Sequence, residues 1–186
     1  MRRATHCSNS RCGIALFVAL AVYGQTTTAR SLIAEPSEVA SMPSDAEIGE
    51  LLSKASEYVE TYKQTFATAK GSLEQGSQPG FYDRAATMSA QATQIISTIK
   101  KNGSTAVALV SLIAVLDDMS LNGARASAVA MLLAAGEDKR AMQDFQNLAQ
   151  AEKNCYDISE LLLHATIRYI SAEETALRVL LKQQKK

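Results

Sequence analysis

Residues 104–116, STAVALVSLIAVL, decide the fold that the sequence of this 186-residue chain predicts. Apolar side chains occupy most of these positions and therefore point in every direction around a helix. A helix that is apolar all round is buried on all sides. The run ends at Asp117 after roughly a dozen apolar residues, whereas a helix that spans a bilayer needs about 20. We therefore predict a buried central helix from Ser104 to Met119, and no transmembrane segment in the mature chain.

The segment that begins at Ser44 shows the spacing of an amphipathic helix, with apolar residues three and four apart. Ser44 and Glu47 form a capping box at its start. Its apolar stripe comprises Ile48, Leu52, Ala55, Val59, Tyr62, Phe66, Ala69 and Leu73. Tyr58, Tyr62 and Phe66 follow one another at intervals of four residues, which favours core packing over the alternative of a ligand-facing aromatic strip.

Turn-forming residues divide the remainder of the chain into further predicted helices. These residues are Asn102-Gly103, Leu121-Asn122-Gly123, Gly136, and Asn154 with Asp157. The resulting helices cover about 81–101, 104–119, 124–135, 138–153 and 158–182. One continuous helix in place of the last two would have about 45 residues, far above the usual 10–14. The sequence therefore predicts an all-α fold, an antiparallel bundle of five or six helices over residues 44–183.

The last predicted helix carries two apolar seams and a polar stripe between them. The first seam comprises Ile158, Leu162, Ala165, Tyr169, Ala172, Ala176 and Val179. The second seam comprises Leu163, Ile167, Ile170, Leu177 and Leu181. A helix with two seams is expected to pack against neighbours on two sides and to expose one narrow edge.

The first 24 residues have the composition of an export signal. Arg2, Arg3 and Arg11 supply a basic leader, and an unbroken apolar run covers residues 14–22. That run is too short to span a bilayer, which favours a cleaved signal over a membrane anchor. We predict cleavage after Gly24, with cleavage after Ala29 as the alternative. Residues 25–43, which hold two of the three prolines, are predicted to form a flexible N-terminal segment. The protein is therefore expected to be secreted or extracytoplasmic.

Removal of the leader changes both the charge and the cysteine content of the chain. The full chain has 19 basic and 19 acidic residues, and loss of the three leader arginines leaves 16 basic residues and a net charge of −3. This balance argues against a nucleic-acid partner. Cys7 and Cys12 leave with the leader, so Cys155 remains alone. It is interpreted as a small buried apolar residue, with an intermolecular disulfide or a reactive thiol as the alternative.

No motif in the sequence defines a chemistry, so we predict a protein that is not an enzyme and holds no cofactor or metal. His164, the one histidine of the mature chain, has Glu160 and Arg168 four residues to either side, as in a surface charge ladder. A catalytic His164 would have to point into a pocket beside carboxylates of other helices. Residues 118–123, DMSLNG, match the opening of a calcium-binding EF-hand loop, but Val129 stands where the closing glutamate belongs.

Two short motifs point to the secretory pathway. Asn102-Gly103-Ser104 is an N-glycosylation sequon in a predicted loop. A structural role explains the same residues, with Asn102-Gly103 ending one helix and Ser104 capping the next. Residues 30–35, RSLIAE, resemble the Arg-x-Leu targeting or processing elements that follow the signal peptide in secreted proteins of apicomplexan parasites and oomycetes. The resemblance covers these six residues and implies a pathogen-secreted effector.

These observations lead to two functional hypotheses from different classes. The first is a secreted, non-enzymatic binding protein that contacts a protein or lipid partner through a helix face. The second is a structural component that assembles with itself through its C-terminal helix and through Cys155. A stable monomer would exclude the second hypothesis.

Overall fold

The structure, a computed structural model, describes residues 41–75, 80–135 and 139–183. Nearly all of these residues are helical. Within these ranges there are four helices and no strand: α1 (Asp45–Gln75), α2 (Gly80–Asn102), α3 (Ala106–Ala134) and α4 (Lys139–Gln183). The prediction of an all-α fold is confirmed. The predicted signal peptide, most of the predicted flexible segment 25–43 and the Arg30–Glu35 motif lie outside the described residues.

The helices form a bundle in which each helix packs on the next and α4 packs back on α1. Glu47, at the start of α1, contacts Arg168 in the distal part of α4. Ser72, near the end of α1, donates to Asp144 near the start of α4. These two helices are therefore antiparallel. Hydrogen bonds from Tyr169 to Ser104 and from Ser159 to Asp117 give α3 and α4 the same antiparallel relation. The α3–α4 contact is the most extensive in the bundle.

The start of α1 follows the predicted pattern. All eight residues of the predicted stripe are buried, and the rings of Tyr62 and Phe66 lie 4.6 Å apart between centroids. The amide of Glu47 donates to the Ser44 hydroxyl at 3.1 Å, as in the predicted capping box. The Glu47 carboxylate, however, pairs with Arg168 of α4 instead of returning to the N-cap. A residue that the local pattern assigns to a cap thus also ties two helices together.

The predicted count of five or six helices is wrong for the described residues, because two predicted breaks do not occur. Leu121-Asn122-Gly123 lies inside α3, where Asn122 bonds to neighbouring helices and Gly123 lies against the backbone of Glu152. Asn154 and Asp157 lie inside α4, where their side chains pair one turn back with Gln150 and Lys153. At Asn122 the side-chain amide nitrogen bonds to other helices, and at Asn154 and Asp157 the side chains form i,i+4 pairs, so these residues are accommodated inside continuous helices.

The prediction of a helix buried on all sides is also wrong. Leu109, Leu112 and Leu116 are fully buried, but Val107 is 77% exposed and Val110 is 50% exposed. In a bundle of four helices every helix has an outer face, so even an apolar segment exposes part of its surface. The N-cap of α3 is Thr105, whose hydroxyl accepts from the Ala108 amide, and not Ser104 as the sequence predicts.

The helix that contains residues 106–116 is longer than its apolar run predicts, and α3 is long enough to cross a bilayer. This helix has 29 residues and is, by length and composition, the one described helix that could cross a bilayer. Core helices of soluble bundles meet the same criterion, and 44% of its most apolar window is buried against the other helices. Its hydrogen bonds through Asp117 and Asn122 to other helices are those of a helix within a bundle.

Candidate functional site

The distal part of α4 extends beyond the rest of the bundle. Arg168 contacts Glu47 near the start of α1, and the Tyr169 hydroxyl donates to the Ser104 carbonyl just before α3. Because both neighbours begin at this level, residues 170–183 continue without them for about 20 Å, at 1.5 Å per residue. All of these residues except Ala172 are exposed. We call residues 170–183 the α4 extension.

One face of this part of α4 is a continuous apolar line, which we call the α4 stripe: Leu163, Ile167, Ile170, Leu177 and Leu181. Its members follow one another at intervals of four and three residues, with Glu174 filling the one gap, so they lie on one side of the helix. Leu163 is half-buried, Ile167 and Ile170 are 42% and 45% exposed, and Leu177 and Leu181 are 59% exposed. The structure therefore contradicts the prediction that the second seam packs against a neighbour within the bundle.

Polar groups border the α4 stripe in a defined pattern. Arg178 donates from Nε and from a terminal nitrogen to one oxygen of Glu174, at 3.1 and 2.6 Å. The pKa of Tyr169 is raised by desolvation and by the negative charge of Glu173, which lies one turn further along α4. The α4 extension carries two acids, Glu173 and Glu174, and two bases, Arg178 and Lys182, over its described residues. Its charge is therefore balanced.

Apolar exposure is also found at the same end of the bundle on α3. Val107 and Val110 lie within the first two turns of α3, whose N-terminus the Tyr169 hydrogen bond places beside α4. Surface apolar residues scattered singly are ordinary, whereas a contiguous apolar line is typical of an interaction surface. The α4 stripe is therefore the strongest candidate for a binding site.

A second feature is an open cleft of about 240 Å³ between α2 and α3. Its lining residues are Arg84, Met88, Asp118, Leu121, Asn122 and Arg125. The Asn122 side-chain amide donates to the Tyr62 hydroxyl at 3.0 Å and to the Phe81 carbonyl at 3.3 Å, while its oxygen has no partner. Burial raises the pKa of Tyr62 well above its ordinary value. These contacts fix α3 against α1 and α2, which is a structural role.

The structure places His164 at the surface and Cys155 in the core. His164 is exposed and is not among the residues that line the cleft between α2 and α3. Cys155 is fully buried, and desolvation, followed by the charge of Glu152, raises the pKa of its thiol to about 12. The thiol is therefore protonated and inaccessible, and a disulfide between two folded chains through Cys155 is excluded. The interpretation of Cys155 as a buried apolar residue is confirmed.

The remaining sequence motifs have mixed outcomes. Residues 118–123 are helical, so they cannot wrap a calcium ion as an EF-hand loop does, and no group of three or more His, Cys, Asp or Glu residues gathers in the described ranges. Asn102 is exposed at the end of α2 and precedes Gly103 with φ of 87°, so the sequon is accessible and its glycosylation stays a prediction. Cleavage after Gly24 lies outside the described residues.

No protein-family model, no curated protein sequence and no solved structure matches the chain. Sequence reasoning found every member of the α4 stripe but missed its exposure. It also missed the Arg168–Glu47 contact, because 121 residues separate these partners and no local pattern pairs them.

Proposed function

We propose that this chain is an exported, non-enzymatic binding protein that engages a protein partner through the α4 stripe. The observation that supports the proposal is the exposure of Ile167, Ile170, Leu177 and Leu181 along one side of a helix that continues beyond its neighbours. An amphipathic helix that presents apolar residues at intervals of three and four is a common mode of recognition between proteins. No partner within the described bundle covers this face.

The charge of the extension favours a protein over a lipid surface. Helices that lie on membranes carry a polar face rich in lysine and arginine, which is attracted to anionic lipids. The α4 extension instead has two acids and two bases, with Glu174 inside the apolar line and Glu173 and Arg178 at its two edges. Such a balanced border is typical of a helix that recognises another helix, since opposite charges on the partner can match it.

The proposed export depends on the first 24 residues. A basic segment followed by a short apolar run and small residues supports secretion with cleavage after Gly24. The likeness of Arg30–Glu35 to host-targeting elements supports an effector exported by a pathogen. A binding protein of this kind acts outside the cytosol, where its buried Cys155 needs no reducing environment.

Site-specific photocrosslinking tests the proposal. A benzoyl-phenylalanine is placed at Leu177 in the α4 stripe or, as a matched control, at Thr175, which is also exposed but lies on the opposite side of the helix. Each form is irradiated in the extracellular fluid of the cells that produce it. We expect discrete protein adducts from position 177 that disappear when Ile170→Glu and Leu181→Glu are added, and none from position 175.

Equal adducts from both positions, or no adducts from either, would overturn the proposal. A lipid surface is tested by flotation with phosphatidylcholine–phosphatidylserine vesicles. Flotation that depends on the α4 stripe, together with no protein adduct from position 177, would assign the face to lipid and would also overturn the proposal of a protein partner.

A further inference from the structure

The heptad pattern of the α4 stripe identifies the kind of helix that fits it. Leu163, Ile170 and Leu177 occupy d positions, and Ile167, Glu174 and Leu181 occupy a positions of three consecutive heptads. Five of these six core positions are Leu or Ile. A seam of this kind packs by inserting its side chains between those of an equivalent seam. A second seam with the same spacing is therefore the best geometric complement to the α4 stripe.

We infer that the partner is a second copy of this chain, paired in parallel through the α4 stripe to form a short two-stranded coiled coil. This inference rests on the proposed function and names the occupant of the same face. It assigns to the protein a homodimeric state in which the two α4 extensions lie side by side. Beyond Tyr169 no helix of the described bundle lies beside the α4 extension, because α1 and α3 begin near residues 168 and 169 of α4. Leu163 lies below that level and is half-buried against the bundle core.

Charge complementarity supports a second copy in a parallel orientation. In a parallel pair, a g residue lies beside the e residue five positions later on the other chain. In the α4 extension these positions are Glu173 and Arg178, so each copy's Glu173 lies beside the partner's Arg178. The two-fold relation of a homodimer repeats this contact on the other side. Both side chains are exposed and able to reach across.

The antiparallel alternative places like charges together. When all six core layers are aligned in that orientation, g residues lie beside g residues, and e residues beside e residues. Glu173 would then lie against the same residue of the other copy, and Arg178 would lie against His164 of the other copy. The first contact repels, and the second offers no attraction. At the flanking g and e positions, charge therefore favours the parallel orientation. The two Glu174 carboxylates share one a layer in that orientation, and each is paired with Arg178 of its own chain.

Glu174 gives the pair its register. A single polar residue at an a position lowers the stability of a coiled coil but specifies how the chains align. Arg178 contacts Glu174 within its own chain at 2.6 Å, which compensates the charge that the seam would otherwise hold. Three heptads with one polar layer make a short and weak coiled coil, so the dimer is expected to depend on protein concentration.

Sedimentation equilibrium of the purified secreted protein, over about 1–200 μM, tests the inference. We expect the molar mass to rise from that of one secreted chain toward twice that value. Leu177→Glu is expected to keep the protein monomeric, whereas Val179→Glu is expected to leave the dimer unchanged. Val179 is a matched control because it is 49% exposed, only two residues away, and on the opposite side of the helix.

A charge exchange tests the g–e contact separately from the apolar seam. Glu173→Lys and Arg178→Glu are each expected to weaken dimerisation at least threefold, because each places like charges opposite one another. Arg178→Glu and the double variant both lose the Arg178–Glu174 contact, so their difference isolates the contact across the interface, and the double variant is expected to dimerise more strongly than Arg178→Glu alone. A double variant that dimerises no better than Arg178→Glu would refute the parallel contact between Glu173 and the partner's Arg178.

A disulfide test fixes the orientation. Leu181→Cys, with Cys7 and Cys12 changed to serine, leaves the new thiol as the accessible one because Cys155 is buried. Mild oxidation is expected to give a disulfide-linked dimer in the parallel pair, since a positions face each other across it. The same thiol would meet residue 163 in the antiparallel pair, and crosslinking that requires Leu163→Cys on the other copy would overturn the inference.

The outcomes separate the two proposals. A protein that stays monomeric to 200 μM but gives adducts to a different protein from position 177 overturns the homodimer and leaves the binding function standing. A dimer that Leu177→Glu does not affect also overturns the homodimer proposed here. Absence of both the dimer and any adduct from position 177 overturns both proposals.

Discussion

Replacement of Gly123 by alanine tests the closest approach between two helices in the bundle. An added Cβ at Gly123 would lie 3.0 Å from the Glu152 Cβ and 3.2 Å from its Cα. Ordinary contacts between carbon atoms are about 3.5–4.0 Å. Because Glu152 Cα belongs to the backbone of α4, relief requires that α3 and α4 move apart along their most extensive contact. Overpacking of this kind costs about 1–3 kcal/mol.

Gly49→Ala provides the matched control. Gly49 lies inside α1, and an added Cβ there has no neighbour within 4 Å. Both substitutions gain about 1 kcal/mol from the higher helix propensity of alanine, so their difference isolates the contact with Glu152. We expect Gly49→Ala to raise the free energy of unfolding by up to about 1 kcal/mol, and Gly123→Ala to lower it by about 0–2 kcal/mol.

Urea unfolding followed by circular dichroism at 222 nm measures both variants. The difference between them is expected to be about 1–3 kcal/mol. The midpoint of thermal unfolding should accordingly differ by about 2–12 °C, at about 2–4 °C per kcal/mol for a chain of this size. Glu152→Gly in the Gly123→Ala background removes one of the two close atoms and should reduce the cost. If Gly123→Ala stabilises the protein as much as Gly49→Ala, the close packing of α3 on α4 is refuted.

Four further predictions concern buried groups and the leader. Ser72→Ala removes the hydroxyl that donates to the buried Asp144 carboxylate at 2.5 Å. The free energy of unfolding, measured with urea, should fall by about 1–3 kcal/mol. An unchanged free energy of unfolding would mean that other groups satisfy the carboxylate. Desolvation raises the pKa of Glu152 in the folded state above its value in the unfolded state. The free energy of unfolding should therefore fall as the pH rises from the unfolded-state pKa through the folded-state pKa. Glu152→Gln should abolish this part of the pH dependence. The Cys155 thiol should not react with Ellman's reagent at pH 8 in the folded protein and should react fully in urea, because its pKa is about 12 and it is buried; rapid labelling without urea would contradict its burial. Expression in a secreting host should release protein whose first residue, by N-terminal sequencing, is Gln25, and retention of residues 1–24 would contradict cleavage after Gly24.

Much of α1 could be predicted from the sequence because its determinants are local. The eight-residue stripe that begins at Ile48 is buried as its spacing indicates, and the Ser44–Glu47 cap forms its hydrogen bond. Both features depend on residues within one or two turns, where helix geometry alone decides which side chains share a face. The same reasoning located the second seam of α4, residue by residue, without any knowledge of the fold.

Residues with strong turn preferences were the source of the main errors. Asn122 and Gly123 are typical of turns in isolation, and Asn154 with Asp157 is typical of a helix boundary. In the bundle, Asn122 donates to Tyr62 and Phe81, and the missing side chain of Gly123 admits the backbone of Glu152. These partners lie on other helices, and the contacts with them stabilise the helical conformation more than the local preference favours a turn. A short window of sequence does not contain these partners, so it predicts the turn.

The sequence by itself determined that the chain is helical and which residues form each apolar line, because backbone propensity and the 3.6-residue period act between near neighbours. Only the tertiary structure decided which of those lines are covered. The first seam of α4 is buried through Ala165, while Leu177 and Leu181 of the second seam remain exposed, although both seams are apolar lines with helical spacing. The physical reason is that burial depends on where other helices end, and α1 and α3 begin at the level of Arg168 and Tyr169, leaving the last three to four turns of α4 without a neighbour in the described bundle.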